Sequence, residues 1–434
     1  MIPAVERAGA AGPGGPGSPG SPGSTAGWTY HARVNGLRPG ATYGYAVTAD
    51  NDSNAADPFS ATFTTAPEGR AKFRFTSFGD LVPPGAGEAV LAAQSALAVG
   101  AVETFQPLFH LLNGDLTGTG VIPPEAGRDL GNQVQMSAAY RPWLPVPGGY
   151  HRHGGGGRPA GQPDQGASPF PARYLPPPPG ADGPDRRWYA FRIGTALFVT
   201  LSGDDVAYQG AGARGYSGGA QTRWLEATLA AARGDPSVDW IVVQMHQCAC
   251  SSGTDARVTG SDLRLRREWL PLFDSYEVDL VLSGHGGGYE RSFPVRGLDP
   301  GAGADAVTGA AADTGRPHPV TTVDSGVFDT SQGTVHLVLG GGAADSGTAP
   351  GDEAAEVATW SARRDNAAGP GIAVFDVNPG TEAGGQTSII VRYYQAAGPD
   401  LLAAAGEDDG DYLLFEAFTL VRPRSDGRRW HLRG

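Results

Sequence analysis

Four apolar runs in this chain each end in a residue able to bind a cation. Phe73 to Phe78 leads to Gly79-Asp80, Leu108 to Leu112 to Asn113-Gly114-Asp115, Trp240 to Met245 to His246, and Val278 to Ser283 to Gly284-His285. Carboxylate oxygen and imidazole nitrogen are the donors that zinc, iron and manganese accept, and a catalytic zinc needs three of them plus one position for water. Strands that deliver such groups at their carboxyl ends build a metal site along one edge of a sheet. The chemistry expected from Asp80, Asp115, His246 and His285 is metal-assisted hydrolysis.

The elements that must position them follow from the pattern. From Lys72 onward the chain alternates strand and helix. Phe73 to Phe78 and Leu108 to Asn113 read as strands, Glu88 to Val99 and Ala220 to Arg233 as helices. Trp240 to Met245 and Asp279 to Ser283 read as buried strands around a helix near Arg266 to Tyr276. Later strands at Val335 to Leu339, Ile372 to Val377, Ser388 to Tyr394 and Tyr412 to Leu420 are expected to supply a second sheet. The expected fold class is layered α/β, two central mixed sheets flanked by helices. Gly148 to Asp185 lacks apolar periodicity and reads as a loop.

The blocks Ser77-Phe78-Gly79-Asp80, Asn113-Gly114-Asp115, Pro147-Gly148-Gly149-Tyr150, Met245-His246-Gln247 and Gly284-His285 through Tyr289-Glu290-Arg291 come in the order of the motifs of the calcineurin-type metallophosphoesterases. More closely, the chain resembles the bacterial purple acid phosphatases from Arg70 onward. The resemblance implies seven metal-ligand positions, of which Asp80, Asp115, His246 and His285 are in place. The other three fall on Gly118, Gly149 and Gly287, which offer no side chain. The ion that the resemblance assigns to Asp80, Asp115, the tyrosine position and the last histidine keeps two ligands, while the other keeps Asp115, His246 and His285. Expected is a phosphate monoester hydrolase with reduced activity, biased toward one iron, zinc or manganese ion, without the tyrosinate colour of the family. His151 and His153, beside the altered third block, are candidates for the general acid or a replacement ligand.

The competing reading of the same four residues is a catalytically inactive relative, acting as a binding or structural protein on a scaffold kept by ancestry. Two histidines and a carboxylate can also hold ferrous iron for oxygen chemistry. His110 and His336, inside apolar strands, read as core histidines. Cys248 and Cys250 are too close in sequence for an unstrained disulfide and read as free and packed.

Composition narrows the partners. A formal charge of −13 and no basic cluster argue against nucleic acid and anionic membranes. Lys72 is the only lysine, which disfavours P-loop and Schiff-base chemistry and leaves arginine to bind phosphate. The expected partner is a phosphorylated small molecule. Four segments are expected: 1–27, a Gly/Pro/Ser-rich linker; 28–66, a partial fibronectin III-like β-sandwich module, suggested by Gly36-Leu37-Arg38-Pro39-Gly40; 70–421, the catalytic domain; and 422–434, a tail. The resemblance implies export, though Met1 to Thr25 has neither the basic start nor the apolar core of a signal peptide.

Overall fold

The computed structural model describes residues 4–9, 28–48, 58–81, 89–115, 124–148, 187–207, 215–252, 254–255, 258–259, 261–285, 288–299, 303–304, 311–312, 315–342, 358–365, 370–396 and 412–427. Two seven-stranded sheets dominate. Their strands are β1 (Phe73–Phe78), β2 (Phe109–Leu112), β3 (Trp143–Pro145), β4 (Tyr189–Ile193), β5 (Ala196–Thr200), β6 (Trp240–Met245), β7 (Leu280–Ser283), β8 (Tyr289–Ser292), β9 (Val327–Asp329), β10 (Val335–Leu339), β11 (Ser361–Asp365), β12 (Gly371–Asn378), β13 (Gln386–Ala396) and β14 (Tyr412–Pro423). The first sheet runs β9-β14-β13-β12-β1-β2-β3 and the second β11-β8-β10-β7-β6-β5-β4.

Side chains alternate across these strands, and both faces are covered. In β6, Trp240 and Val242 point into the core between the sheets, where Phe75, Phe109, Phe198 and Phe375 meet. Phe75 stacks on Phe375 at 4.4 Å, and Phe198 of the opposite sheet meets Phe75 edge-on at 5.1 Å. Ile241, Val243 and Met245 face outward, against the helices α3 (Ala220–Gly234) and α4 (Leu263–Ser275) through Leu225, Leu229, Leu265, Trp269 and Phe273. Helix α4 starts where it does because Asp262 accepts from the amides of Arg264 and Leu265, a side-chain cap contributing about 1 kcal/mol. On the far side, α1 (Ala89–Phe105) and α2 (Pro124–Ala138) cover the first sheet with Val99, Val102 and Leu130. The result is four layers, helix–sheet–sheet–helix.

Two expectations are corrected. The late strands do not form a sheet of their own: β10 pairs parallel to β7, whereas β12, β13 and β14 extend the sheet of β1. Nor does the domain end at 421. Strand β14 continues to Pro423, and Arg422 is buried, donating to Asp279. Its guanidinium links the two sheets, so it belongs to the core.

The amino-terminal part forms two-stranded ribbons. Thr42–Val47 pairs with Phe59–Thr64, and Trp28–Arg33 pairs with Ala4–Gly9, so six residues of the expected linker form a strand. Tyr45 donates to the carbonyl of Ala139 at 2.8 Å, tying the first ribbon to the end of α2. Val47 and Phe59 stay half exposed or more, as a two-stranded piece leaves one face open. Among the described residues no helix is long and apolar enough to cross a membrane.

Candidate metal centre

Strands β1 and β2 are parallel neighbours in one sheet, and β6 and β7 are parallel neighbours in the other. All four carboxyl ends therefore fall on the same edge of the sandwich. Asp80 and Asp115 are each 3% exposed and His246 1%; His285 is partly buried. The imidazole rings of His246 and His285 lie 5.0 Å apart, edge to face. Oδ1 of Asp80 lies 3.7 Å from Nδ1 of His246 and accepts from the backbone amide of His285 at 3.3 Å. Asp115 joins through its loop: the Asp80 amide donates to the carbonyl of Gly114, and the Asp115 amide to that of Gly148.

Glycines make this approach possible. A Cβ on Gly148 would stand 2.4 Å from Cβ of His246, one on Gly114 2.7 Å from the same side chain, and one on Gly284 2.4 Å from the carbonyl of Asn113. The loops carrying Gly114, Gly148 and Gly284 pack directly around His246 and Asn113. Three of the four donors sit in the left-handed region, Asp80 at φ 63°, Asp115 at 45° and His285 at 44°. For a residue with a Cβ such a conformation costs roughly 1–3 kcal/mol.

His246 is set as a ligand would be. Its Nδ1–H donates to the carbonyl of Asn113 at 2.9 Å, which fixes the tautomer and leaves the Nε2 lone pair outward. That Nε2 is buried with no hydrogen-bond partner among the described residues, as is Oδ1 of Asn113. A buried acceptor left unmatched costs about 1–3 kcal/mol, and a bound cation removes that cost. On these grounds His246 and its neighbours fit a metal ion. The four donors are not fully gathered, however: among the described residues no group of three or more His, Cys, Asp or Glu side chains is arranged to hold an ion. Gly118, Gly149, Gly287, His151 and His153 lie outside the described residues.

The surroundings hold groups that sequence reasoning missed. Gln244, two residues before His246, donates to the carbonyls of Leu112 and Leu144, stitching β6 to the opposite sheet just below the site. The Asn113 carbonyl is a backbone group and leaves no mark in a sequence. Tyr289, Glu290 and Arg291 were not missed: from sequence they read evenly as residues orienting the histidine loop or as a solvated turn, and in the structure they form β8 and are buried. Arg291 pairs with Glu416 at 2.7 Å, and the hydroxyl of Tyr289 donates to the same carboxylate.

Other residues resolve as structural. His110 donates to or accepts from Thr76 at 2.8 Å between Phe78 and Trp143, and burial pushes its imidazole well below the usual range. Burial, aided by Arg266, likewise pushes His336 down to about 3. The thiol of Cys248 donates to the carbonyl of Gly284 at 3.2 Å, and burial, then Glu290 and Asp80, push it up, so it remains a thiol packed beneath the histidine loop. Asp204 and Asp205 form a buried turn; Asp204 accepts from Gln247 and Asp205 from Ser217 and Gln221.

Comparison with known proteins agrees with this architecture. No family model matches the chain. An uncharacterized protein of Mycobacterium tuberculosis is 37% identical over 435 residues, covering 91% of this chain and 76% of that one. The Fe(3+)-Zn(2+) purple acid phosphatase 12 of Arabidopsis thaliana is 29% identical over 167 residues, 37% of this chain and 32% of the relative. Among solved structures, purple acid phosphatase PPD1 from yellow lupin (Lupinus luteus) superposes with a TM-score of 0.64 at 16% identity, over 92% of this chain and 63% of its own length.

Proposed function

The chain belongs to the purple acid phosphatase-like metallophosphoesterases, and from that premise we propose that it hydrolyses phosphate monoesters with one metal ion held by Asp115, His246 and His285. Backbone strain carries the reading. Asp80, Asp115 and His285 occupy left-handed conformations that glycine adopts freely. The chain carries glycine at 118, 149 and 287, yet at the site positions 80, 115 and 285 it keeps a donor where glycine would relieve strain; Gln106 and Glu277 share the conformation outside the site. Side chains held against the preference of the backbone are typical of working sites.

A bound ion would supply Lewis acidity and a water acidified toward neutral pH. The protein residues supply the rest. The Asn113 carbonyl keeps the proton of His246 on Nδ1 and so leaves the lone pair on Nε2. Asp80 approaches His246 on the Nδ1 side, which supports assigning it to the other, weaker ion position. Protonation of the leaving oxygen is assigned to His151 or His153. With three of the family's ligand positions replaced by glycine, the clamp that a two-ion site places on both the attacking and the leaving oxygen is incomplete, and turnover is reduced accordingly. Iron, zinc and manganese all suit this donor set, and a relative carries iron and zinc in its name. The substrate is a phosphorylated small molecule.

The test is hydrolysis of an aryl phosphate with added zinc, manganese or iron, compared with Asp115→Ala. Equal rates in the two proteins would refute catalysis at this site, and two tightly held ions per chain would refute the single-ion assignment. A second reading, a non-catalytic binding protein, is favoured by the incomplete gathering of the donors. It expects equal rates.

A further inference from the structure

Glu290 stands five residues beyond His285, on β8, and is buried. A buried carboxylate must be matched at each oxygen. Here Ser252 donates its amide to both oxygens at 2.9 and 3.0 Å and its hydroxyl to Oε1 at 2.5 Å, while Ser251 donates its hydroxyl to Oε2 at 3.0 Å. Ser361, on the neighbouring β11, adds a hydroxyl to Oε1 at 2.6 Å. Ser251 and Ser252 close the loop that begins at His246. Glu290 lies on β8, which pairs with β10 and β11.

The two loops also meet nearer the site. The Gly284 amide donates to the His246 carbonyl at 3.1 Å, and the Cys248 thiol to the Gly284 carbonyl at 3.2 Å. These ties fix the 246–252 segment to Gly284 at its root, and the carboxylate fixes it to β8 at its far end. A segment held at both ends cannot swing its first residue independently of its neighbour. We propose that Glu290 is a positioning residue that sets the His246 imidazole against that of His285, resting on the reading of both as metal ligands.

Ser361 provides an internal control, since it binds the same carboxylate but belongs to neither histidine loop. Histidine imidazole NMR on the full-length, metal-free chain is the first readout. Glu290→Gln shifts the His246 and His285 resonances, Ser252→Ala shifts them less because its amide still donates to the carboxylate, and Ser361→Ala leaves them in place, although Ser252→Ala and Ser361→Ala lower the melting temperature by similar amounts. The second readout is zinc affinity by calorimetry. It falls roughly 10- to 100-fold in Glu290→Gln, about tenfold in Ser252→Ala, and stays within twofold in Ser361→Ala. If Glu290→Gln does not fold, the serine pair decides. Unchanged resonances in Ser252→Ala, or equal displacement in Ser361→Ala, overturn the proposal. A wild-type chain that takes up no zinc while the resonances behave as expected refutes the ligand assignment and leaves the positioning role standing.

Discussion

The two ends of the same strands handle buried charge in opposite ways. At the amino ends of β6 and β7, Asp239 and Asp279 are fully buried and matched by arginine. Asp239 pairs with Arg70, just ahead of β1, and Asp279 with Arg422 of β14 and Arg233 of α3. Thr330 and the Ile241 amide complete the shell of Asp279, and the arginines hold its carboxyl below the usual range against the opposing effect of burial. At the carboxyl ends, Asp80 lies beside the His246 imidazole, and both Asp80 and Asp115 sit on strained turns in glycine-lined backbone. One end is closed by compensating charge and sets the strand register. The other brings a carboxylate and two imidazoles together on strained turns.

The sharpest way to break this contrast is to remove a charge at the closed end. Asp279→Ala leaves two buried guanidiniums facing each other and is expected to cost about 3–5 kcal/mol in urea unfolding. At the open end, Asp115→Ala is expected to cost clearly less than Asp279→Ala in the metal-free protein while lowering aryl phosphatase rates roughly 10²–10³-fold. A loss of stability at Asp115 equal to that at Asp279 would erase the distinction.

Acid sharpens it further. His336 is neutral in the fold, with a pKa of about 3 against about 6.5 unfolded. Below pH 6.5 the unfolded chain binds a proton that the folded chain does not, so stability is intact above that pH and falls as pH drops toward 3. At pH 5 the loss from this residue is about 2 kcal/mol. Thermal unfolding of His336→Leu is expected to show a correspondingly smaller difference between pH 7.5 and pH 5. His285→Gly, which relieves a left-handed turn, is expected to raise metal-free stability by about 1 kcal/mol while weakening metal binding. Destabilisation by that change would remove the strain argument. Finally, iron-loaded protein is expected to show no ferric-tyrosinate absorption band, because position 118 is glycine.

Much of the fold was legible where apolar runs are continuous. Trp240–Met245 and Val335–Leu339 occur with the boundaries expected of strands buried on both faces. Strands such as Trp143–Pro145 and Ser361–Asp365 were not legible, being short or polar edge strands without a core-facing pattern. The domain end at 421 was misplaced because Arg422 and Arg424 look like a solvated tail. Burial of the first depends on Asp279, 143 residues away in sequence.

Sequence alone determined that four donor residues end four apolar strands and that the chain is α/β, because strand periodicity and residue chemistry are local properties. Only the tertiary structure decided that late strands interleave with early ones, that the Asn113 carbonyl sets the tautomer of His246, and that Glu290 spans both histidine loops. Those relations depend on backbone groups and on pairings between distant segments, which packing creates and composition does not record.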